Sequence, residues 1–302
     1  MFDFFNDIGP VAFEIPIGDG FPIYWYAIII VAGIFLGGLW AAREIEKRGQ
    51  DVDEFYNGLL VVVVAGYVFA RLWYVFQDVY FAGNGALYDS FLDVINIRAG
   101  GVNILGGFVG AGVVGLIYAR WRNLNIWHYA DVAGPALLLA QAIGRWGNVI
   151  NQELYGPPTG SETWGLIIEA NNRIAPYNDL TQYPLDTRFH PTFFYESIAL
   201  FVGFLVLVYL NRRFREVWKP GTLFGVFMIW WGLERAIIEF FRPDQPTIGS
   251  SPMTYSMVFA VLLALAGVWL MMRLNGRLPE STRNQRRRKR RVRKPKPKRN
   301  NN

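Results

Sequence analysis

The sequence predicts an all-α polytopic membrane protein: seven transmembrane helices with a small extracytoplasmic subdomain between the fourth and fifth spans. Hydrophobic residues make up 52% of the 302-residue chain and charged residues only 18%, a composition too apolar for an ordinary soluble domain. Seven apolar runs have about the 17–25 residues needed to cross a bilayer. We place them at residues 24–42, 56–76, 104–121, 128–143, 192–210, 222–241 and 254–272.

The loops between these runs alternate between rich and poor in Lys and Arg. The loop after the first span contains Arg43, Lys47 and Arg48, whereas the loop 77–100 after the second contains only Arg98. The same alternation continues to the basic C-terminus. Because cytoplasmic loops carry the excess of Lys and Arg, we expect the N-terminus outside and the C-terminus in the cytoplasm.

The two ends of the chain differ from the spans. Residues 1–23 alternate phenylalanine with acids, which favours an extracytoplasmic segment on the membrane surface. No Lys or Arg precedes Arg43, so we expect no cleavable signal peptide. Residues 273–302 hold 14 of the 30 basic residues and one acid, which leaves residues 1–272 a net charge of −7. We expect this tail to be disordered and to bind anionic lipid, not nucleic acid.

Two residue types limit the chemistry. Cysteine is absent, which excludes disulfides, thiolate metal sites and a cysteine nucleophile in the protein itself. The only histidines, His128 and His190, have no acids at a spacing typical of a metal cage. We therefore expect neither a metal nor a cofactor.

The densest polar stretch follows the fourth span. Segment 144–156 contains Arg145, Glu153 and three carboxamides, separated by three glycines. An interfacial cap, with Arg145 reaching the headgroups, would explain one arginine but not its neighbours. Polar and ionisable groups at membrane depth mark a functional site by default. We therefore expect residues 144–191 to form a functional outer loop, the subdomain.

Two helices contribute further candidates at the same outer level. Arg71 lies near the outer end of the second span, where it either reaches the headgroups or binds a ligand. The third span begins with two glycine pairs, and Gly106 and Gly107 form the second of them. Glycines this dense let a helix or a lipid approach the backbone closely.

The sixth span carries Arg235 and Glu239, which share one helical face. They are either a structural ion pair or part of a site. Together with Tyr26, Arg71, the 145–153 cluster and the turn at 190–196, they could converge at the outer leaflet. Arginines beside amides and few acids are suited to binding a lipid phosphate, because the N–H groups of a planar guanidinium match the spacing of phosphate oxygens.

Segment 144–156, GRWGNVINQELYG, resembles the signature G-R-x-G-N-F-x-N-x-E-x-x-G of the bacterial prolipoprotein diacylglyceryl transferase family. Further blocks resemble that family in the same order, at 24–26, 100–107, 190–192 and 235–244. The resemblance covers about residues 20–272, so it makes 24–272 the catalytic membrane domain.

The resemblance implies a reaction at the bacterial cell membrane. The diacylglyceryl group of phosphatidylglycerol moves to the lipobox cysteine thiol of a prolipoprotein, and glycerol-1-phosphate is released. By motif position, the resemblance implies functional roles for Tyr26, Arg145, Asn148, Glu153, Gly156, Arg235 and Glu239. Binding of phosphatidylglycerol is expected of Arg145, Asn148, Asn151, Gly156, Arg71, Gly106 and Gly107.

One departure from the family concerns proton transfer. Much of the family has a histidine where this chain has Leu105, which cannot move a proton. Losing a general base costs on the order of 10²-fold. We expect Arg145 and Arg235 to hold the phosphate while Glu239 and Glu153 fix their guanidinium groups. Tyr26 or a carboxylate-bound water would then assist deprotonation of the thiol.

Two other functions stay open. The chain could be a family member that binds lipid without catalysis, which assays of thiol lipidation would reveal. It could also be a seven-span transporter, which needs a continuous polar path to the cytoplasmic side. The inner halves of the spans are predicted to offer almost no polar residues, which disfavours a transporter.

Overall fold

The computed structural model describes residues 2–16, 20–95, 101–242, 248–249, 251 and 253–276. Within these residues the chain is mostly helical. The predicted tail lies outside them from residue 277 onward, as do Arg98, Gly100 and the 243–244 end of the last family block. The helices are α1 (Trp25–Lys47), α2 (Val52–Tyr80), α3 (Phe91–Ile95), α4 (Ile104–Trp121), α5 (Ile126–Gly144), α6 (Trp146–Ile150), α7 (Thr192–Phe214), α8 (Thr222–Ile238) and α9 (Tyr255–Leu274).

Five of the described helices are long and apolar enough to cross a membrane: α1, α2, α4, α7 and α9. They coincide with five of the predicted spans, although α1 and α2 extend beyond them. The other two predicted spans correspond to α5, which has 19 residues, and α8, which has 17. Whether these two also cross the membrane stays a prediction.

Side-chain caps explain where several helices begin. The Asp51 carboxylate accepts hydrogen bonds from two backbone N–H groups in the first turn of α2, and Asn103 and Asn125 cap α4 and α5 in the same way. Thr254 accepts from the N–H of Met257 to start α9. These side chains satisfy donors that a helix start leaves without an intrahelical partner.

The helices pack in pairs at small residues. The closest pairs are α1 with α5, α2 with α4, and α8 with α9. A Cβ on Gly232 of α8 would lie 2.4 Å from the carbonyl oxygen of Ala260 in α9. A Cβ on Gly106 of α4 would lie 2.3 Å from the Cβ of Trp73 in α2. Such close approach is how membrane helices gain packing energy without a hydrophobic driving force.

The segment between α6 and α7 packs into an apolar cluster that it shares with α6, α7 and the N-terminal segment. Its short strands β3 (Leu166–Ile167) and β4 (Arg188–Phe189) pair antiparallel. The N-terminal segment, which includes the hairpin β1 (Val11–Ile15) and β2 (Phe21–Tyr24), packs on it through Phe2. The surface placement predicted for this segment remains a prediction; Phe4 and Phe13 are exposed, but Phe2 is buried.

The side chain of Arg173 binds the backbone of the segment between α6 and α7 at several points. Its guanidinium donates hydrogen bonds to the carbonyls of Ile168, Tyr183, Pro184 and Leu185. Burial lowers the pKa of Arg173. The segment therefore has paired strands and packed side chains next to α6, and whether it forms a separate subdomain stays a prediction.

Candidate active site

The signature segment bends sharply where α5 ends. Arg145 stands between α5 and α6, and the next turn is buried against the bundle. A Cβ on Gly147 would lie 2.4 Å from the ring of Tyr26, so only glycine lets α6 approach α1 this closely. Gln152 and Leu154 adopt positive φ, which reverses the chain. This bend directs Arg145 toward α7 and α8.

Arg145 and Arg235 meet at one carboxylate, that of Glu196 in α7. Nε of Arg145 lies 2.5 Å from one oxygen of Glu196, and Nη1 of Arg235 lies 3.3 Å from the other. The Glu196 side chain is only 3% exposed. The structure therefore brings Arg145 and Arg235 together through Glu196 of the 190–196 turn, an acid for which no catalytic or binding role was predicted.

The two arginines differ in the contacts made by the guanidinium nitrogens that do not face Glu196. Arg235 donates from Nε to Ser256, and its Nη2 lies 2.9 Å from Glu239. Thr254 donates to the other oxygen of Glu239. In contrast, no residue that the structure describes pairs with the terminal nitrogens of Arg145, whose side chain is 23% exposed. Arg235 is thus anchored, while Arg145 has donors available for a ligand.

Glu239 and Glu153 are both predicted to fix the guanidinium groups of the arginines, but the structure shows this contact for Glu239 alone. Glu239 fixes the guanidinium of Arg235. Glu153 instead accepts a hydrogen bond of 2.8 Å from the amide of Asn148, and the structure pairs it with neither arginine. The physical reason is local: the reversal after α6 brings Glu153 back over Asn148, whose carbonyl also accepts from the Glu153 N–H.

Three other predicted residues lie around the same bend. Tyr26 faces Gly147 and is within electrostatic range of Arg145 and Glu153. Gly156 donates from its N–H to the carbonyl of His190, where a Cβ would clash with the chain. Asn151 is half-buried, and within the described part of the chain its side chain makes no hydrogen bond.

Arg71, Gly106 and Gly107 lie elsewhere, where α2 packs on α4. The Arg71 guanidinium donates to the backbone carbonyls of Val94, Asp93 and Gly101. It is buried, so the headgroup-reaching alternative is wrong. Gly106 and Gly107 are in close contact with α2. A lipid-binding role for these three residues stays a prediction, and each has a packing role already.

The arginines have more acids around them than the sequence predicted. Besides Glu196 and Glu239, Glu234 of α8 lies within electrostatic range of both arginines. The available signal was an acid inside an apolar helix, which is costly without a partner. Glu196 and Glu234 both fit that description, but their adjacency in space depends on how α7 and α8 pack.

A separate cavity of about 260 Å³ lies at the opposite ends of these helices. Arg48 and Asp131 form an ion pair there, and Asn211 bridges Arg48 and Glu44. Burial lowers the pKa of Arg48. Of Glu44, Arg48, Asn211 and Asp131, only Asp131 lies within a predicted span, so the near absence of polar residues from the inner halves stays a prediction. Fully buried Leu138 separates the cavity from Arg145 along α5.

Comparison with known proteins gives the family. The family model described as prolipoprotein diacylglyceryl transferase matches residues 10–273. A protein of Chloroflexus aggregans is 41% identical over 236 residues, which cover 75% of each chain. A protein of Bacillus cereus strain G9842 is 36% identical over 249 residues, 82% of this chain and 86% of its own length. Both are named phosphatidylglycerol–prolipoprotein diacylglyceryl transferase. The chain belongs to the prolipoprotein diacylglyceryl transferase family.

Proposed function

We propose that this chain transfers the diacylglyceryl group of phosphatidylglycerol to the lipobox cysteine thiol of a prolipoprotein and releases glycerol-1-phosphate. Its membership of the family and the names of its relatives support the reaction. The observation that carries it is the pair of arginines on Glu196, with the terminal nitrogens of Arg145 left available.

The phosphate is the leaving group, so catalysis depends on stabilising its charge. The two terminal N–H groups of Arg145 match two phosphate oxygens, and such charge-assisted bonds are stronger than neutral ones. Arg235 adds a fixed positive charge beside them, held by Glu239 and Ser256. A positioned donor at a developing oxyanion is worth about 10²–10³-fold in rate.

The membrane placement is proposed from charge and helix length. Alternating basic loops place Arg145 at the outer leaflet, the N-terminus outside and the C-terminus in the cytoplasm. In this arrangement α5 and α8 complete seven spans, and 144–191 forms an outer subdomain. The basic tail would lie on anionic lipid at the inner surface.

A route for the lipid is supported by how α2 and α4 pack. They pack mainly on one another, and α4 meets α5 only slightly. The outer ends of α4 and α5 are therefore not held together by extensive packing. A lipid whose acyl chains entered between α4 and α5 would bring its headgroup to the level of Arg145.

The second candidate is a lipid-binding protein without catalysis. It is favoured by Leu105, which is 49% exposed and cannot accept a proton. Both candidates bind phosphatidylglycerol, so binding does not separate them. Formation of a diacylglyceryl thioether does.

The test uses purified protein in phosphatidylglycerol vesicles with a lipobox peptide. Wild type is expected to form the thioether and release glycerol phosphate. Arg145→Lys keeps the charge but loses the planar pair of donors, so the rate should fall by about 10²-fold or more. Arg43→Lys, at an exposed position in α1, is the matched control and should match wild type. An Arg145→Lys protein with the wild-type rate would exclude the phosphate-binding role.

A further inference from the structure

Glu234 is a carboxylate whose environment needs an explanation. It lies near the end of α8, immediately before Arg235. Its Oε1 is buried, and in the described residues it has no hydrogen-bond partner. Buried polar atoms are nearly always paired, so an exception beside other ionisable groups is a candidate for function.

The charges around Glu234 come from three of the elements that pack there. Glu196 of α7, Arg145 at the junction of α5 and α6, and Arg235 of α8 itself all lie within electrostatic range of it. The third helix packed on α8 is α9, whose charged residue in the described part, Arg273, lies at the other end. Glu234 is therefore in the same charge cluster as the phosphate-binding arginine.

A purely structural role does not fit this arrangement. Both arginines already have carboxylate partners, since Glu196 pairs with each of them and Glu239 pairs with Arg235. Glu234 makes no ion pair with either one in the described residues. A third acid in an already paired cluster adds repulsion and desolvation cost, and its unpaired oxygen stays available as a base.

We propose that Glu234 is the proton acceptor for the substrate thiol, an inference that rests on the proposed function. The carboxylate takes the proton from sulfur as the thiolate attacks the glyceryl carbon attached to the phosphate oxygen. The carbon–sulfur bond forms and the carbon–oxygen bond breaks. The departing glycerol phosphate carries the bonding electron pair, and the proton then passes from Glu234 to its oxygen.

This assignment resolves the departure at Leu105. Leu105 lies on α4, exposed and apolar, so this chain has no base at the position where the family often has histidine. Glu234 supplies one from the opposite side of the proposed lipid route, on the helix that also carries Arg235. The other candidate, Tyr26, lies against Gly147.

The test is the pH dependence of thioether formation by Glu234→Gln in phosphatidylglycerol vesicles. At pH 7 the rate should fall by about 10²-fold, the usual worth of a general base. The residual rate should rise about tenfold per pH unit toward the thiol pKa of about 8.5, because only the free thiolate then reacts. Glu162→Gln, an exposed acid in the outer segment, should keep the wild-type rate and profile.

A lipobox peptide with selenocysteine separates base catalysis from structure. Its selenol is already ionised at neutral pH, so Glu234→Gln should transfer lipid to it at close to the wild-type rate. Equal slowing with both peptides, or a wild-type pH profile with the cysteine peptide, would overturn the inference. If Glu234→Gln does not fold, Glu234→Asp replaces it and should keep the wild-type profile at a lower rate; a tenfold rise per pH unit would overturn the inference. Inactive wild type would instead contradict the proposed function.

Discussion

Glu196 holds two like charges next to one another. Its carboxylate lies between the guanidinium groups of Arg145 and Arg235. A bound phosphate would share these two positive charges with it. Without an anion between them, these two half-buried arginines would repel each other, and little water would be present to screen their charges. The residue therefore keeps the site assembled before a lipid arrives.

Replacing Glu196 with Gln tests this role. Breaking a buried ion pair by removing one partner costs roughly 3–5 kcal/mol, because the other charge stays buried. We expect a clearly lower thermal midpoint in detergent and weaker lipid transfer. Glu162→Gln, at an exposed position, should leave the midpoint unchanged. Equal midpoints for the two variants would show that Glu196 does not hold the arginines.

The motif alone identified Arg145, Arg235 and Glu239 but not how they are connected. Their functional importance can be predicted because each lies in a local pattern of residue types. Glu196 lies in the predicted turn at 190–196, and its role as the shared partner depends on α5, α7 and α8 meeting. The same limit explains Glu153, whose partner Asn148 follows from a chain reversal with positive φ at Gln152 and Leu154.

The helices were predictable because each depends on its own sequence. Apolar length sets a span, and Asp51, Asn103 and Thr254 mark helix starts with side chains that cap them. Which helices pack together was not predictable, because glycines at similar spacing occur in several spans. The α8–α9 pairing at Gly232 depends on Ala260, which lies in another helix.

Labelling of introduced cysteines tests whether α5 and α8 cross the membrane. The chain has no cysteine of its own, so single substitutions give an unambiguous signal with a membrane-impermeant maleimide. Exposed positions flank each helix: Arg120 and Thr181 for α5, and Glu216 and Met253 for α8.

We expect labelling from outside intact cells at Thr181→Cys and Met253→Cys only. Arg120→Cys and Glu216→Cys should react only after the membrane is opened, because they lie on the predicted cytoplasmic side. Labelling of both members of a pair from the same side would show that the helix between them does not span.

In the residues that the structure describes, polar side chains cluster near both ends of α5. At one end Arg48, Asp131 and Asn211 form a closed network around a cavity. At the other end Arg145 keeps donors available beside Glu196. Buried apolar residues, including Leu138 and Leu200, lie between them. This separation fits an enzyme that works at one membrane face better than a transporter with a path across it.

In the proposed reaction Arg145 binds the phosphate of phosphatidylglycerol while the substrate supplies the attacking sulfur. An experimental structure of the protein in nanodiscs that contain phosphatidylglycerol would show this contact. We expect a lipid phosphate within about 3 Å of both terminal nitrogens of Arg145, the usual length of such bonds. A headgroup bound elsewhere, with Arg145 still contacting only Glu196, would contradict it.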